Sequence, residues 1–298
     1  ANITVSNVGF IVGYAVNCQI NQITINNGSF TTSSTLNITN GGAVAGYAEG
    51  CEISNIVING VSIKGKALNQ IGGVVGYAKN VKMEEITAKN VEISGNTNLG
   101  GLVGKAESVT INVANVNVTM QVNANNSKLG AGGCIGNADG STNVYFCEVY
   151  GQVKVNESYV ANEVCVGGFA GNGGNWFDSV TYAYVEGMRM VGGFVGGYQS
   201  NANFTRCHMA GEVKFASGHT QNYLYAGIIN GYGAWSSYGM TESGQRISVD
   251  FVSSKAVAEI KVFNASLSPY GIDVAIPAMG ENGKYSFTVD ANFKDTYA

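Results

Sequence analysis

One phrase, Gly-Gly-apolar-apolar-Gly, returns along the whole chain. It reads GGVVG at 72–76, GGLVG at 100–104, GGCIG at 132–136, GGFAG at 167–171 and GGFVG at 192–196, with a close copy, GGAVAG, at 41–46. Weaker copies are VGFIVG at 8–13 and AGIING at 226–231. The final glycines, Gly13, Gly46, Gly76, Gly104, Gly136, Gly171, Gly196 and Gly231, are spaced by 33, 30, 28, 32, 35, 25 and 35 residues. Eight copies in phase make this a repeat array, in which each unit buries its apolar face only by stacking on its neighbours.

A second phrase follows each glycine cluster and alternates apolar with polar residues. It reads CQINQITI from Cys18, CEISNIVI from Cys51, VKMEEITA from Val81, VTINVANV from Val109, CEVYGQVKV from Cys147, AYVEGMRM from Ala183 and CHMAGEVKF from Cys207. A degenerate copy, SKAVAEIKV, starts at Ser254. Period-two alternation rich in Val, Ile and Thr is a strand signature, and no amphipathic helix pattern accompanies it. Short strands recurring every 30 residues or so imply an all-β fold, a right-handed parallel β-solenoid of eight or nine coils. Propeller blades are longer, at about 40–50 residues, and sandwich hairpins do not recur in a fixed order. The glycines are expected on one corner track, where φ > 0 or close backbone stacking is needed. The solenoid is expected over residues 1–263, with 264–298 an atypical segment holding both prolines, Pro269 and Pro277.

Composition excludes other classes. Charged residues are 12% of the chain, and 16 Lys+Arg face 20 Asp+Glu for a net charge of −4, so there is no basic stripe for a nucleic acid. No apolar run reaches the roughly 18–20 residues of a membrane-spanning helix. The start at Ala1, without a leader pattern, reads as a mature or trimmed product.

The glycine phrase resembles the GLUG repeat, named for its Gly-Leu-apolar-Gly core. Gly101-Leu102-Val103-Gly104 is the most literal copy, with Gly73-Val74-Val75-Gly76 and Gly193-Phe194-Val195-Gly196 close to it. The resemblance covers most of residues 8–231. It implies a large secreted or cell-surface microbial protein, in some cases adhesin-like, and supplies no catalytic residue.

Cys18, Cys51, Val81, Val109, Cys147, Ala183 and Cys207 open their strand phrases, and their small apolar character predicts one inward ladder. Cys18 and Cys51 fall on adjacent coils, which leaves free buried thiols and a disulfide both open. Cys147 and Cys207, separated by the Ala183 coil, stand too far apart to bond. Asn-x-Ser/Thr sequons occur at Asn2, Asn27, Asn37, Asn117, Asn125, Asn156, Asn203 and Asn264, and glycosylation there depends on a eukaryotic source. Phe169 and Phe194 are expected in the core. Tyr150, Tyr159, Trp176, Tyr184, Tyr198, Tyr223, Tyr225, Trp235 and Tyr238 are expected outward or in bridges, where aromatics serve protein contacts or sugar stacking.

Motifs with chemistry are scarce. The two histidines, His208 and His219, belong to no metal or nucleophile pattern, and the glycine clusters lack the Lys-Ser/Thr of a phosphate loop. Glu52, Lys82 and Glu148 are expected on one outward track. Asn137, Asp139, Ser141, Asn143 and Glu148 mimic a calcium loop with its glycine misplaced, and read better as a polar turn. No cofactor and no metal are expected.

Two functions compete: a non-enzymatic extracellular structural or adhesive protein, and a carbohydrate-binding or carbohydrate-active solenoid with surface glycans as ligand. The first is favoured, with the chain itself as partner. The N-terminus enters the repeat without a capping helix, and an uncapped coil is an open edge. The first coil around Val5 and Val12 is expected to receive strands from residues 271–293 of a neighbour, with Ile272, Val274, Phe287 and Val289 filling its core. The rival role for that segment is a cap on its own chain.

Overall fold

The computed structural model describes residues 3–32, 36–65, 68–123, 130–156, 164–187, 190–197, 202–209 and 211–215, and beyond them the strands Tyr225–Gly227, Phe251–Val252, Lys255–Ala256, Glu259–Lys261 and Lys284–Tyr285. Every described element is a strand, and the strands stack into a parallel β-solenoid. A first sheet runs Ile3–Gly9, Leu36–Gly42, Asn69–Gly72, Thr97–Gly100, Gly130–Gly132, Cys165–Gly167, Met190–Gly192 and Tyr225–Gly227. A second holds Val12–Val16, Ala45–Glu49, Val75–Lys79, Val103–Glu107, Ile135–Ala138 and Ala170–Asn172. The third face starts with Gln19–Asn26, Glu52–Asn59, Lys82–Gly95, Thr110–Val122 and Asn143–Val155. About six turns carry all three faces, fewer than the eight or nine coils expected. Parallel pairing continues to Glu259–Lys261, against which Lys284–Tyr285 of the same chain lies antiparallel.

The final glycines of the phrase do stack. Val12, Ala45, Val75, Val103, Ile135, Ala170 and Val195 pair in sequence, which carries Gly13, Gly46, Gly76, Gly104, Gly136, Gly171 and Gly196 into one column. Gly231 lies outside the described residues. The column runs inside the second sheet, just after the bend and facing inward, because there the first and second sheets touch backbone to backbone. A Cβ on Gly46 would stand 2.5 Å from Val8 N, and one on Gly104 would overlap the backbone of Gln70 and Ile71. Here glycine answers a need for space, not for a left-handed φ.

Left-handed residues turn the third face, and few of them are glycine. Gln22, Asn55, Glu85, Val113, Phe146, Asp178 and Arg206 stack in one column, all with φ between 49° and 58°. Asn17, Gly50, Asn80 and Ser108 lie five residues before the first four, and Asn27, Gly60 and Asn90 five after the first three, also at positive φ. Each such residue breaks the alternation. In the second coil Cys51, Ile53, Ile56, Ile58, Val61 and Ile63 are all buried, so the inward step across Asn55 and Gly60 is three residues instead of two.

That step corrects the single ladder. Cys18, Cys51, Val81 and Val109 share a column that continues to Thr142. Cys147 instead stacks on Ala114, under Ile23, Ile56 and Ile86, and leads through Ser179 to Cys207. Ala183 belongs to a third column, between Gly151 and Gly211. All three columns are inward and accept small residues, so size alone could not separate them. Glu52 and Lys82 share an outward track, but Glu148 lies on the next one, beside Asn115.

The coil body keeps its length. Thr31, Lys64 and Ser94, which stack on one another, each lie 18 residues beyond the column glycine of their coil. The bridges that vary, such as 32–35, 123–129 and 156–164, all connect the third face to the first sheet.

Gly104→Ala is expected to cost about 3 kcal/mol or more through backbone overlap, whereas Gly140→Ala, whose Cβ meets nothing within 4 Å, should be close to neutral in the same denaturant titration. Val113 is a β-branched residue held at φ 58° with 47% of its surface exposed, so little packing opposes its replacement. Val113→Asn should raise stability by about 1 kcal/mol, because Asn tolerates this conformation, and a lower melting temperature would contradict the left-handed corner.

Candidate functional site: the open first coil and its aromatic columns

Among the described residues, the first coil pairs on one side only, since Ile3–Gly9, Val12–Val16, Gln19–Asn26 and Ser29–Thr31 each end their row. Its inward side chains are the same kinds found deeper in the stack, but nothing described lies over them. Ile20 and Ile23 are only partly buried, whereas Ile53 and Ile56, their partners in the next coil, are fully buried. Val5 against Ile38, Val12 against Ala45 and Phe30 against Ile63 show the same contrast. Full burial of such a side chain contributes about 1.5–3 kcal/mol. Half-covering Val5, Val8, Phe10, Val12, Ile20, Ile23 and Phe30 therefore forgoes on the order of 5–10 kcal/mol. That is comparable with the roughly 4–15 kcal/mol of freedom lost on association, so backbone pairing along the open edges would decide the outcome.

An aromatic column rises to this end on the outside of the second sheet. Tyr14 stacks on Tyr47 at 4.9 Å and 6°, and Tyr47 meets Tyr77 edge-on at 5.1 Å. Lys105 closes the column 4.6 Å over the Tyr77 ring. Tyr47 donates to Glu49 at 2.7 Å, and Lys79 pairs with Glu49 at 2.9 Å. Burial first, then that carboxylate, pushes the Tyr47 hydroxyl up to about 12. Tyr14, 58% exposed, stacks on a described ring through one face only. The sequence signal was a Tyr directly after Gly13, Gly46 and Gly76, which the reading by strand phrases passed over.

A second aromatic cluster lies on the third face. Tyr145 stacks on Phe177 at 4.7 Å and Tyr150 on Tyr182 at 4.8 Å, with Phe146 exposed between them. Tyr150 donates to Glu148 at 3.0 Å and Tyr184 to Glu186 at 2.5 Å. Trp176 is not part of this surface. It occupies the inward slot beside Val144, fully buried against Phe169 and Phe194, with Nε1 donating to Gly173 O at 3.1 Å. Phe169 and Phe194 are core, stacked at 4.5 Å. Tyr159, Tyr198, Tyr223, Trp235 and Tyr238 lie outside the described residues, as does the side chain of Tyr225.

Asp139 is spent on a turn. Its carboxylate accepts from Ser108 N, Ser141 N and the Thr142 hydroxyl, the last at 2.7 Å. Among the described residues no cluster of His, Cys, Asp and Glu could hold a metal ion, and no helix is long and apolar enough to cross a membrane. Of the sequons, Asn27 and Asn117 are exposed, Asn37 is half-buried, and Asn156 donates its amide to Asn123 at 2.9 Å. Asn2, Asn125 and Asn264 lie outside the described residues, and Asn203 is described by its backbone alone. Ile272, Val274, Phe287 and Val289 are also outside them.

The six cysteines are free thiols, five buried and Cys18 half-buried. Burial raises the thiols of Cys134 and Cys147 well above their ordinary range and that of Cys207 to about 12. Compared with protein-family models, curated proteins and solved structures, the chain shows no match. Alkylation of the native protein should therefore modify Cys18 first and the other five only on unfolding. Fast labelling of Cys147 or Cys207 would show that the third face is wrongly phased.

Proposed function

We propose that this chain is a non-enzymatic structural or adhesive protein of the cell exterior that associates with copies of itself end to end. The observation that carries the reading is the first coil, whose inward apolar side chains and strand edges have no partner among the described residues. The glycine phrase, with its resemblance to GLUG repeats of surface proteins, supports an exterior location, as do the exposed sequons Asn27 and Asn117. The cluster around Phe146 and Tyr182 is where contact with surface glycans would be seated, through ring faces and the Glu148 carboxylate.

The donor is the neighbour's segment 271–293, adding strands to the open edge and side chains to the open core. Lys284–Tyr285 pairs within its own chain here. Lending it exchanges an intramolecular pairing for the same pairing between molecules, as in domain swapping, and a head-to-tail contact of this kind propagates unless it closes.

Sedimentation and electron microscopy of the 298-residue chain should show linear oligomers that lengthen with concentration. Removing residues 266–298 should abolish them and leave the strand signal in circular dichroism intact. A full-length protein that stays monomeric, with a truncated form that aggregates, would make the segment a cap and end the proposal.

A further inference from the structure

The first coil holds a thiol pair poised for covalent closure. Cys18 and Cys51 precede Gln19 and Glu52, which pair in register, so the two cysteines lie one above the other on adjacent parallel coils. Their sulfurs are 3.1 Å apart and unbonded. Neighbouring strands lie about 4.8 Å apart, inside the roughly 4.4–6.8 Å between Cα atoms that a disulfide spans, so closure needs side-chain rotation and little backbone movement. Cys147 and Cys207 share a column too, but Ser179 stands between them, and two coil steps exceed that reach. The column of Cys18 and Cys51 continues as Val81 and Val109, so the pair stands only at the end of the stack.

Position gives the pair its consequence. Cys51 is buried, but Cys18 is half-buried in the coil held on one side only, so a small reagent can reach its sulfur from the open end. A terminal coil opens at lower free energy than the interior of a stack. A bond across the 33 residues from Cys18 to Cys51 would hold that coil down.

We propose that Cys18 and Cys51 form a reversible disulfide that staples the first coil to the second, with a low-molecular-weight disulfide such as oxidised glutathione as oxidant. The Cys18 thiolate attacks one glutathione sulfur, breaking the S–S bond and releasing one glutathione thiolate. The Cys51 thiolate then attacks the Cys18 sulfur of the mixed disulfide and releases the second. Two protein thiols and one oxidised glutathione become one protein disulfide and two reduced glutathiones, which take up the two thiol protons. The glutathione disulfide receives the two electrons. Burial, then Cys51, raises the Cys18 thiol to about 11. The reaction is therefore slow near neutral pH and accelerates about tenfold per pH unit while the thiolate remains the minor form.

The test uses the full chain, purified reduced and then incubated with oxidised glutathione at pH 7, 8 and 9. Peptide mass spectrometry after blocking free thiols should find Cys18 joined to Cys51, with the other four cysteines alkylated only on denaturation. The oxidised protein should melt several degrees higher, and amide exchange over residues 3–32 should slow while later coils are unchanged. Cys18→Ser and Cys51→Ser should each abolish the rise, and Cys147→Ser should leave it. A lasting glutathione adduct on Cys18, a cross-link mapped elsewhere, or thiols that remain free at pH 9 would each overturn the proposal. The mapping is done on the unsubstituted protein, so it decides the matter even where a variant fails to fold.

Discussion

A left-handed residue at every fifth position of the third face is the constraint on which the rest depends. It turns the chain without a loop and keeps the apolar pairs on both sides of it pointing inward, as Ile53 and Ile56 do across Asn55. Because Gln22, Asn55, Glu85, Val113, Phe146, Asp178 and Arg206 stack, each coil bends where the one beneath it bends, and the parallel hydrogen bonds stay in register. An L residue in this conformation is disfavoured by roughly 1–2 kcal/mol, a cost the stack absorbs because a different bend would unpair a whole row of backbone groups. The outward side chains at these bends also meet. Arg206 donates twice to Asp178, at 2.5 and 2.6 Å, one coil apart in the same column.

The opposite edge of the coil is built on a different principle. There the first and second sheets converge until only glycine fits between their backbones, and Ala48, Ala78 and Ala106 continue the small-residue lining two positions on. Polar ladders accompany the convergence. Asn40 donates to Asn7 at 2.7 Å, directly above Gln70 and Asn98 in the same column. The section thus narrows from a wide apolar side filled by Ile, Val and Met to a thin glycine side, and the stack holds both widths constant from coil to coil.

How much of this the sequence discloses follows from how many residue types each position admits. The glycine column is legible because backbone overlap admits nothing else, and with it came the solenoid and the repeat length. The left-handed column is not, since seven different side chains occupy it and their only shared property is a backbone angle. Without that column, strict alternation places Cys147 in the slot of Cys18, when Thr142 holds it. Trp176 was misplaced for a related reason: its neighbours Gly174 and Asn175 read as a bridge, although its backbone pairs with Val144. The open coil is the hardest part to read. Val5, Val12, Ile20 and Phe30 are chemically indistinguishable from their buried counterparts, and only their place at the end of a row leaves them half-covered.

The constant coil body and its single variable edge have a bearing on how such a protein can change. From the column glycine to the residues stacked with Thr31, the chain admits almost no change of length, whereas the crossing from the third face to the first sheet already spans very different lengths in successive coils. New sequence can therefore enter along one rim of the rod without altering the stack beneath it. The molecule behaves as a ruled support with one writable margin, on which segments at successive coils are displayed at intervals of about 4.8 Å. Function can be revised along that margin by insertion alone, while the glycine edge stays closed to change.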